Sequence, residues 1–318
     1  MAFKNNMKNK MPLVSVIMPV HNPGRFLTPA IRSILHQTYS HFELIIVDDS
    51  STDRSWEIIK QFRATHPNII KAFQSKTKLN EAGNAATNMG LLHAKGQYIA
   101  RMDADDIALP TRIEKQIKYF STHPDTILVG TQALVINQRN AIIGKKSMPI
   151  EHDAIYNQYG IIHPIIHPSV MIHRALLPNP NKLYACKYGI NDDYYTFFSL
   201  LSYGKFANLP ELLIKYRVHT NNSSLNNLKR NYWNINAIRI EAITKLNYQV
   251  PFIAFPIMIL QTIIVSVLPE NVLRELFYYI RGIKKLSIRI QYPKIKLFQF
   301  RESIVLTKLK SYAASFLA

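Results

Sequence analysis

The chain has 318 residues, of which 47% are hydrophobic and 19% are charged, so its composition excludes a disordered protein and allows one large domain plus an appendage. Its formal net charge of +19 indicates a polyanionic partner, either nucleic acid or an anionic membrane face. The single cysteine, Cys186, excludes an internal disulfide and a zinc site of the cysteine type, and it fits a reducing cytosol.

The first third of the chain alternates predicted strands and helices. Residues 14–18 and 42–47 are nearly continuous in apolar, largely β-branched side chains, as buried parallel strands are. A helix capped by Thr28 is predicted between them, and a second helix with Asp53 as its N-cap follows. A third strand is predicted at residues 98–102. This order predicts a parallel sheet with right-handed crossovers, whose polar strand ends converge on one edge.

Three carboxylates stand at the end of the third predicted strand. Asp103 and Asp105 are separated by one residue, so in extended geometry they point the same way and can share one hard divalent cation. The alternative is a solvated turn in which an aspartate, such as Asp106, caps the helix predicted from residue 112. A second acidic cluster, Asp48 and Asp49, follows the second strand and has no such simple structural explanation.

Later segments carry weaker signals. Residues 80–90 are rich in small side chains but lack the glycine spacing of a dinucleotide site and of a P-loop. His163 and His167 each precede a proline and therefore lie in extended backbone, where lone histidines are usually structural. Asp192 and Asp193 open a predicted helix, and N-terminal capping is their simplest role.

The last third of the chain combines apolar and basic segments. Residues 251–268 are interrupted by Pro256 and Gln261, which favours either insertion into a membrane without crossing it or packing on the preceding domain. Residues 272–290 predict a basic amphipathic helix suited to an anionic bilayer, or else a core-facing helix with a solvated basic side. The chain has no RNA-module or zinc-finger signature, so nucleic acid is not the expected partner.

Taken together, these spaced elements resemble glycosyltransferase family 2, the inverting enzymes of the GT-A fold. The resemblance covers roughly residues 12–224, and its strength comes from the combination of several motifs rather than from any one of them. Its elements are VIMPVHN at 16–22, VDDSSTD at 47–53, ARMDADD at 100–106, NDD at 191–193 and YRVH at 216–219.

The resemblance implies an α/β fold with a single nucleotide-binding domain of GT-A type at residues 12–228, built on a mixed, mainly parallel sheet. A basic tail at residues 1–11 precedes this domain. A basic helical extension at residues 229–318, which associates with the membrane, follows it.

The resemblance also implies roles for single residues. Asp193 would be the catalytic base, with Asp192 left open as the alternative because the family usually has glutamate at that position. Asp105 and His219 would hold the metal, and Asp103 would serve both metal and ribose. The residues implied for the nucleotide are Pro19, His21, Asn22, Asp48, Asp49, Ser51, Asn84, Asn88, Asp103 and Arg217.

The implied activity is a single displacement with inversion, in which a carboxylate takes the proton of the acceptor hydroxyl and Mn²⁺ or Mg²⁺ stabilises the departing diphosphate. The donor would be a nucleotide-sugar, most simply a UDP-sugar, and the acceptor a glycan or a lipid-linked sugar. The setting would be bacterial surface polysaccharide synthesis at the cytoplasmic face of the cell membrane. Thr87 stands where many family members carry arginine, so a phosphate contact there is absent or comes from elsewhere.

Two other functions remain open from the sequence. A nucleotidyltransferase that makes nucleotide-sugars usually carries a glycine-rich loop after the first strand, and residues 19–24 do not offer one. A non-catalytic protein that binds membranes or nucleic acid would use the same basic charge without any nucleotide-sugar chemistry.

Overall fold

The computed structural model describes residues 11–79, 83–219 and 227–280. The described strands are β1 (Val14–Val20), β2 (Phe42–Asp48), β3 (Ile70–Gln74), β4 (Tyr98–Arg101), β5 (Ile107–Ala108), β6 (Thr126–Ile136), β7 (Ile142–Lys146), β8 (Met171–His173) and β9 (Lys205–Arg217). The described helices are α1 (Leu27–Leu35), α2 (Ser55–Thr65), α3 (Asn84–Leu91), α4 (Arg112–Thr122), α5 (His152–Tyr159), α6 (Asp192–Leu200), α7 (Leu228–Lys245), α8 (Ala254–Val267) and α9 (Glu270–Ile280).

The described strands form one sheet in the order β3-β2-β1-β4-β8-β6-β9-β5, with β7 paired to β6, so the predicted α/β class is confirmed. The sheet is mixed, as predicted, and its longest ladders, β1 with β2 and β6 with β9, are parallel. The other parallel pairings among the described strands are β1 with β4 and β2 with β3, and the antiparallel ones are β8 with β4 and β6, β7 with β6, and β5 with β9. The short strand β8 runs against both of its neighbours in the middle of the sheet.

The carboxyl ends of β1, β2 and β4 lie at one edge of the sheet, as predicted. In the parallel register Val20 of β1 pairs with Asp48 of β2, and Ile17 of β1 pairs with Arg101 of β4. The helix α3 packs directly on this part of the sheet, since a Cβ on its Gly90 would come within 2.7 Å of Ile17 Cγ2. The polar loops that follow the three strands are therefore brought next to one another.

Apolar side chains of the central strands alternate between two cores, one on each face of the sheet. Val16 and Met18 of β1 enter the core that contains α1, α2 and α4, whereas Ile17 enters the core that contains α5 and α6. The second core also contains Ile238 and Ala242 of α7. Residues of α7 therefore pack with the preceding domain beyond residue 228, where the domain boundary was predicted. Whether the parts on either side of that boundary fold separately stays a prediction.

Two helix caps predicted from the sequence are not the N-caps of the structure. Thr28 lies inside α1, which begins at Leu27 without a side-chain cap, so the Thr28 prediction is wrong. Asp53 Oδ1 accepts a hydrogen bond from the N–H of Ser55, the first residue of α2, at 3.0 Å. Its Oδ2 accepts from the N–H of Gly24 at 3.0 Å. Asp53 lies one residue before the N-cap position, which Arg54 occupies, so its predicted role as N-cap is wrong, but its carboxylate joins the start of α2 to the loop after β1.

Helix α8 packs on its neighbours through polar groups and turns apolar side chains outward. Arg239 Nη1 donates to Gln261 Oε1 at 3.1 Å, Gln261 Nε2 donates to the carbonyl of Ile161 at 3.2 Å, and the hydroxyls of Tyr232 and Thr262 lie 2.8 Å apart. The exposed apolar residues on and beside α8 are Phe252, Ile253, Phe255, Ile259, Leu260, Ile263 and Val267. We refer to these seven residues as the outer face of α8.

Within the described ranges, no helix combines the length and the apolar content that crossing a bilayer requires. The predicted amphipathic helix at 272–290 is represented by α9 as far as residue 280. Its remaining residues, 281–290, and most of the predicted basic tail, residues 1–10, lie outside the described part of the chain.

Candidate functional site

A cavity of ≈ 1840 Å³ opens at the edge of the sheet where β1 and β4 end. It brings together eight of the residues that the sequence singled out: Pro19, His21, Asn22, Asp49, Asp103, Asp105, Asp193 and His219. Behind its wall, outside the lining, lie Asp48, Ser51, Asn84, Asn88, Asp192 and Arg217.

The loop after β1 and the loop after β2 are bound to each other through Asn22. Asn22 Oδ1 accepts hydrogen bonds from the N–H of Thr52 at 2.7 Å and of Asp53 at 3.2 Å, and the N–H of Asn22 donates to Ser51 Oγ at 3.1 Å. Asn22 has φ +51°, a conformation that asparagine tolerates better than most residues. His21 Nδ1 lies 2.7 Å from the carbonyl oxygen of Asp49. These contacts give the two loops one fixed shape.

Asp49 presents a carboxylate oxygen that no described residue satisfies. Its Oδ1 accepts from the N–H of Leu79 at 2.7 Å, whereas its Oδ2 has no hydrogen-bond partner within the described chain although the residue is only 1% exposed. Because a buried carboxylate oxygen without a donor is costly, a ligand that brings an N–H or O–H group to this wall would be stabilised.

Two residues predicted for the nucleotide, Asp48 and Asn88, make structural contacts, and their nucleotide role stays a prediction. Asp48 Oδ2 accepts from Gln74 Nε2 at 2.8 Å, on the neighbouring edge strand. The amide of Asn88 donates to the carbonyl of Tyr184 at 2.7 Å and accepts from the N–H of Leu183 at 3.0 Å. Asn88 therefore fixes the loop that precedes α6, and Asp48 fixes β3 to β2.

The carboxylates of Asp103, Asp105 and Asp106 each have an oxygen within 4.8 Å of the others. Asp105 Oδ2 lies 2.9 Å from His219 Nε2, and Asp105 and Asp103 are both partly exposed to the cavity. Carboxylate oxygens are ligands that Mn²⁺ and Mg²⁺ prefer, so this turn offers a divalent cation the partly exposed carboxylates of Asp103 and Asp105, with the His219 ring beside Asp105.

Asp106 has a different role from its two neighbours. It is 2% exposed, and its Oδ1 accepts from the backbone N–H of Arg217 at 2.7 Å. Burial, together with the nearby carboxylates of Asp105 and Asp103, raises the pKa of Asp106 well above its usual range. The alternative that Asp106 caps the following helix is wrong, because its carboxylate faces the end of β9 rather than the start of α4.

Arg217 supports the acidic turn from behind. Its Nε donates to the carbonyl of Asp105 at 2.6 Å, and its Nη1 donates to the carbonyl of Asn137 at 3.0 Å and to Asn140 Oδ1 at 2.7 Å. Its guanidinium lies over the Phe26 ring, 4.5 Å from the centroid. The contacts described for Arg217 hold the backbone of the turn, so a direct contact with a diphosphate, as the resemblance implied, stays a prediction.

Arg101 is one residue of this site that sequence reasoning missed. Only 4% exposed, it donates from Nε to Asp103 Oδ1 at 2.9 Å and from Nη1 to Thr87 Oγ1 at 2.6 Å. The guanidinium therefore joins β4 to α3 beside the acidic turn. An arginine inside an otherwise apolar strand was the available signal.

Asp193 lies in the cavity wall between two histidines. Its Oδ2 is 3.4 Å from His163 Nε2 and 3.4 Å from His167 Nδ1, and its Oδ1 accepts from the N–H of Tyr194 at 2.8 Å. Burial raises the pKa of the Asp193 carboxyl, but His163 and the N–H of Tyr194 outweigh burial and hold this pKa below its usual range. Asp193 is therefore ionised at neutral pH. Both histidines, expected to be ordinary structural residues, lie beside it.

His167 is neutral near pH 7. Burial and the cation of Arg101 lower its pKa to about 3. Burial raises the pKa of Tyr184, so its hydroxyl keeps its proton, and that hydroxyl lies 2.5 Å from His167 Nε2. With Nε2 accepting from Tyr184, the single N–H of the neutral ring is on Nδ1, which faces Asp193.

Asp192 is fully buried and points away from the cavity. Its Oδ2 accepts from the N–H of Cys186 at 2.7 Å, and its Oδ1 accepts from the N–H groups of Lys187 at 2.8 Å and Tyr188 at 3.3 Å. Lys187 and Tyr188 line the cavity. Asp192 therefore shapes the loop before α6, while its neighbour Asp193 faces the cleft.

Basic side chains line the cavity on the side of the acidic turn. Sequence reasoning did not name them, because they come from three separate segments and share no motif; they are Arg25, Lys78, Lys145 and Lys146. Cations at these positions favour a ligand with several negative charges.

The family model described as "Glycosyl transferase family 2" matches residues 15–179 of this chain. This match begins in β1 and includes the acidic turn, and it ends before Asp193.

Two curated relatives illustrate the similarity in sequence. EpsE of Bacillus subtilis (strain 168) is 45% identical over 130 residues, which is 41% of this chain and 46% of that protein, so this chain matches less than half of its length. The UDP-Glc:alpha-D-GlcNAc-diphosphoundecaprenol beta-1,3-glucosyltransferase WfaP of Escherichia coli is 33% identical over 223 residues, covering 69% of this chain and 82% of WfaP.

Solved structures resemble this fold at low sequence identity. TarS residues 1–349 of S. aureus, in complex with UDP, has a TM-score of 0.60 at 17% identity and covers 83% of this chain and 74% of that chain. The mannosyltransferase PcManGT of Pyrobaculum calidifontis, in complex with GDP-Man and Mn²⁺, has a TM-score of 0.58 at 17% identity, covering 96% and 81%. These likenesses concern the fold, and they confirm a GT-A-like α/β architecture.

Proposed function

The chain belongs to glycosyltransferase family 2, and from that premise we propose that it transfers a sugar from a UDP-sugar to a glycan or lipid-linked acceptor, with inversion, in the synthesis of a cell-surface polysaccharide. The observation that carries the proposal is the single cavity that joins Asp49, the Asp103–Asp105 turn and the ionised Asp193. WfaP, whose name gives UDP-Glc as donor and a diphosphoundecaprenol-linked sugar as acceptor, supports this choice of substrate classes.

Asp193 is the proposed general base. Its low pKa keeps it ionised, and its position in the cavity wall lets a carboxylate oxygen meet an acceptor hydroxyl. As the hydroxyl oxygen attacks the anomeric carbon, its proton passes to Asp193 and the bond to the nucleoside diphosphate breaks. His163 and His167 orient the carboxylate from its other side. A single displacement of this kind inverts the anomeric configuration.

The acidic turn is the proposed cation site. Asp103, Asp105 and His219 would hold Mn²⁺ or Mg²⁺, and a bound cation supplies neutralisation of the charge that develops on the departing diphosphate. Arg101 orients the carboxylate of Asp103, and Arg217 fixes the backbone at Asp105. These contacts set the site in place before any ligand arrives.

The two loops joined by Asn22 are the proposed nucleotide site. Asp49 Oδ2 would accept from an N–H or O–H group of the nucleoside, since it has no donor among the described residues. His21 and Pro19 line the same end of the cavity, and Asn22 and Ser51 determine the shape of the loops. The basic lining residues would face the diphosphate.

The first test is a screen of UDP- and GDP-sugars for thermal stabilisation, with Mn²⁺ or with EDTA. We expect one UDP-sugar to raise the melting temperature in Mn²⁺, since a ligand at a hundred times its Kd stabilises the folded state by about 2.7 kcal/mol. EDTA should remove most of this shift. Stabilisation by nucleoside triphosphates and sugar phosphates, with release of inorganic diphosphate, would favour a nucleotidyltransferase instead.

A peripheral position on the cytoplasmic face of the membrane completes the proposed function. The outer face of α8 exposes 92% of Phe252, 60% of Ile259 and 54% of Ile263, while the polar side of the helix faces α7. This inverted arrangement favours a hydrocarbon environment rather than water. Residues 229–318 contain fourteen Lys and Arg against four Asp and Glu, which complements an anionic bilayer rather than a second copy of this basic chain.

Vesicle binding tests this position. We expect the protein to sediment with vesicles that contain phosphatidylglycerol and to bind pure phosphatidylcholine less well. Replacing both Ile259 and Ile263 by serine should weaken binding at least tenfold, because burying one isoleucine contributes about 1.5–3 kcal/mol. The matched control is Leu92→Ser. Leu92 follows the last residue of α3, outside α8, and 65% of it is exposed. Equal binding by the double variant and the control would contradict the proposal.

A further inference from the structure

The cavity does not end at Asp193 but continues along α7. The lining residues Leu228, Tyr232, Ile235 and Arg239 are spaced by three or four positions, so they lie on one face of the helix. Arg239 Nε donates to the hydroxyl of Tyr194 at 3.4 Å, beside Asp193. From Arg239 to Leu228 the helix rises by about 16 Å, at about 1.5 Å per residue.

The far end of this extension lies among α7, α8 and α9. The N–H of Leu228 donates to Glu270 Oε1, at the start of α9, at 2.9 Å. The side chains that line this end from α8 and α9 are Gln261 and four aliphatic residues, Ile264, Val265, Leu273 and Leu276. We name these four aliphatic residues, together with Ile235, the apolar trough. Polar side chains of α7, namely Arg230, Asn231 and Asn234, also line this part of the cavity.

The apolar trough lies directly behind the outer face of α8. Ile264 lines the cavity, whereas the adjacent Ile263 is 54% exposed on the outside of the same helix. Apolar side chains of α8 therefore face both the cavity, where Ile264 and Val265 lie beside Gln261, and the surroundings. A hydrocarbon chain lying in the trough would be continuous with the bilayer in which the outer face is proposed to sit.

Resting on the proposed function, we propose that the apolar trough binds the hydrocarbon chain of a lipid-diphosphate-linked acceptor. The acceptor sugar would lie at Asp193, and the chain would run along α7 toward α8 and α9. Aliphatic side chains offer burial but no hydrogen bonds, so they suit a hydrocarbon rather than a glycan or a peptide backbone. Arg239, which lines the cavity between Tyr194 and the trough, gives positive charge for the diphosphate.

Isoprenoid binding tests the proposal without catalysis. Titration calorimetry of the full chain in EDTA, with farnesyl diphosphate below its aggregation concentration and inorganic diphosphate as reference, separates the hydrocarbon from the phosphates. We expect farnesyl diphosphate to bind at least about a hundredfold more tightly, because each buried methylene adds to the affinity. Equal affinity for the two compounds overturns the proposal.

Two neighbouring isoleucines give a matched pair of variants. Ile264→Asn should weaken farnesyl diphosphate binding at least about tenfold, because it places a polar group in the trough. Ile263→Asn makes the same change on the outer side of the same helix and should leave this affinity unchanged, with circular dichroism checking that both variants keep α8. Weaker binding by Ile263→Asn with unchanged binding by Ile264→Asn would place the isoprenoid on the outer face of α8 and overturn the proposal.

Photolabelling of the unaltered protein covers the case in which Ile264→Asn fails to fold. A farnesyl diphosphate analogue with a terminal diazirine should label peptides at residues 264–265 and 273–276, and unlabelled farnesyl diphosphate should compete. Labelling confined to residues 252–260 overturns the proposal. The proposed function is tested separately. If no nucleotide-sugar bound or reacted, these isoprenoid binding results would be unaffected. If farnesyl diphosphate failed to bind, the nucleotide-sugar results would be unaffected.

Discussion

Asp105→Ala is expected to abolish sugar transfer while leaving the fold intact. The side chain of Asp105 lies at the cavity, where its Oδ2 is 2.9 Å from His219 Nε2, so the variant removes a central ligand of the proposed cation site. A cation at the diphosphate contributes several kcal/mol to the transition state, and each 1.36 kcal/mol is a factor of ten, so we expect a loss of at least about a thousandfold in kcat/KM.

The fold should survive this change for an electrostatic reason. Asp105 is one of the carboxylates that raise the pKa of the buried Asp106, so its removal relieves repulsion within the turn. The contact between Arg217 and the Asp105 carbonyl involves the backbone and remains. We expect an unchanged or slightly higher melting temperature in EDTA, and no stabilisation of the variant by Mn²⁺ with the donor.

The control for Asp105→Ala is Asp125→Ala. Asp125 forms an exposed ion pair with Lys205 at 2.8 Å, and it lies outside the cavity lining, so its loss should change neither transfer nor Mn²⁺ dependence. Initial rates measured over a range of Mn²⁺ concentrations distinguish the two variants. If Asp105→Ala transferred sugar at the rate of the unaltered protein, the proposed cation site at Asp105 would be wrong.

Asp193→Asn should leave donor binding intact and lower kcat by about a hundredfold to ten-thousandfold, the usual contribution of a positioned general base. The amide has the same shape as the carboxylate, and its oxygen can still accept from the N–H of Tyr194. It cannot take a proton at neutral pH. Single-turnover rates at saturating acceptor, together with the Kd of the donor, separate loss of chemistry from loss of binding.

Asp192→Asn provides the comparison on the adjacent residue, with a different expected result. The Asp192 carboxylate accepts three backbone N–H groups, and an amide would turn its NH₂ group toward at least one of them. We expect unfolding to become easier by about 1–3 kcal/mol, the cost of an unsatisfied buried group, with kcat largely kept below the melting transition. A larger loss of kcat in Asp192→Asn than in Asp193→Asn would mean that Asp192 is the base.

Short motifs at strand ends could be predicted from the sequence because their partners are close along the chain. A continuous apolar strand followed at once by Asp103 and Asp105 predicted the edge of the sheet at which these carboxylates lie. The extended geometry expected for them is wrong, because β4 ends at Arg101 and residues 104–105 form a turn. The same local reasoning identified Asp53 as a structural residue beside α2.

Contacts between distant segments could not be predicted in this way. His163 and His167 meet Asp193 only because the extended loop before β8 passes beside α6, and no periodicity in the sequence encodes that approach. β8 was not predicted at all, since three residues are too few to show the alternation of a strand. Arg101 was overlooked because its role depends on a hydrogen bond to Thr87, which lies on α3 rather than on the same strand.

The first turn of α6 has a consequence for how substrate choice can change in this family of folds. Asp192 anchors the backbone of Lys187 and Tyr188, and the next residue along the helix is the proposed base. A transplanted loop at residues 183–191 would bring new side chains to the cavity but would still depend on an anchor it does not carry. Chimeras that exchange this loop should therefore include residues 192–194, so that the loop is transferred together with its anchor Asp192 and the proposed base Asp193.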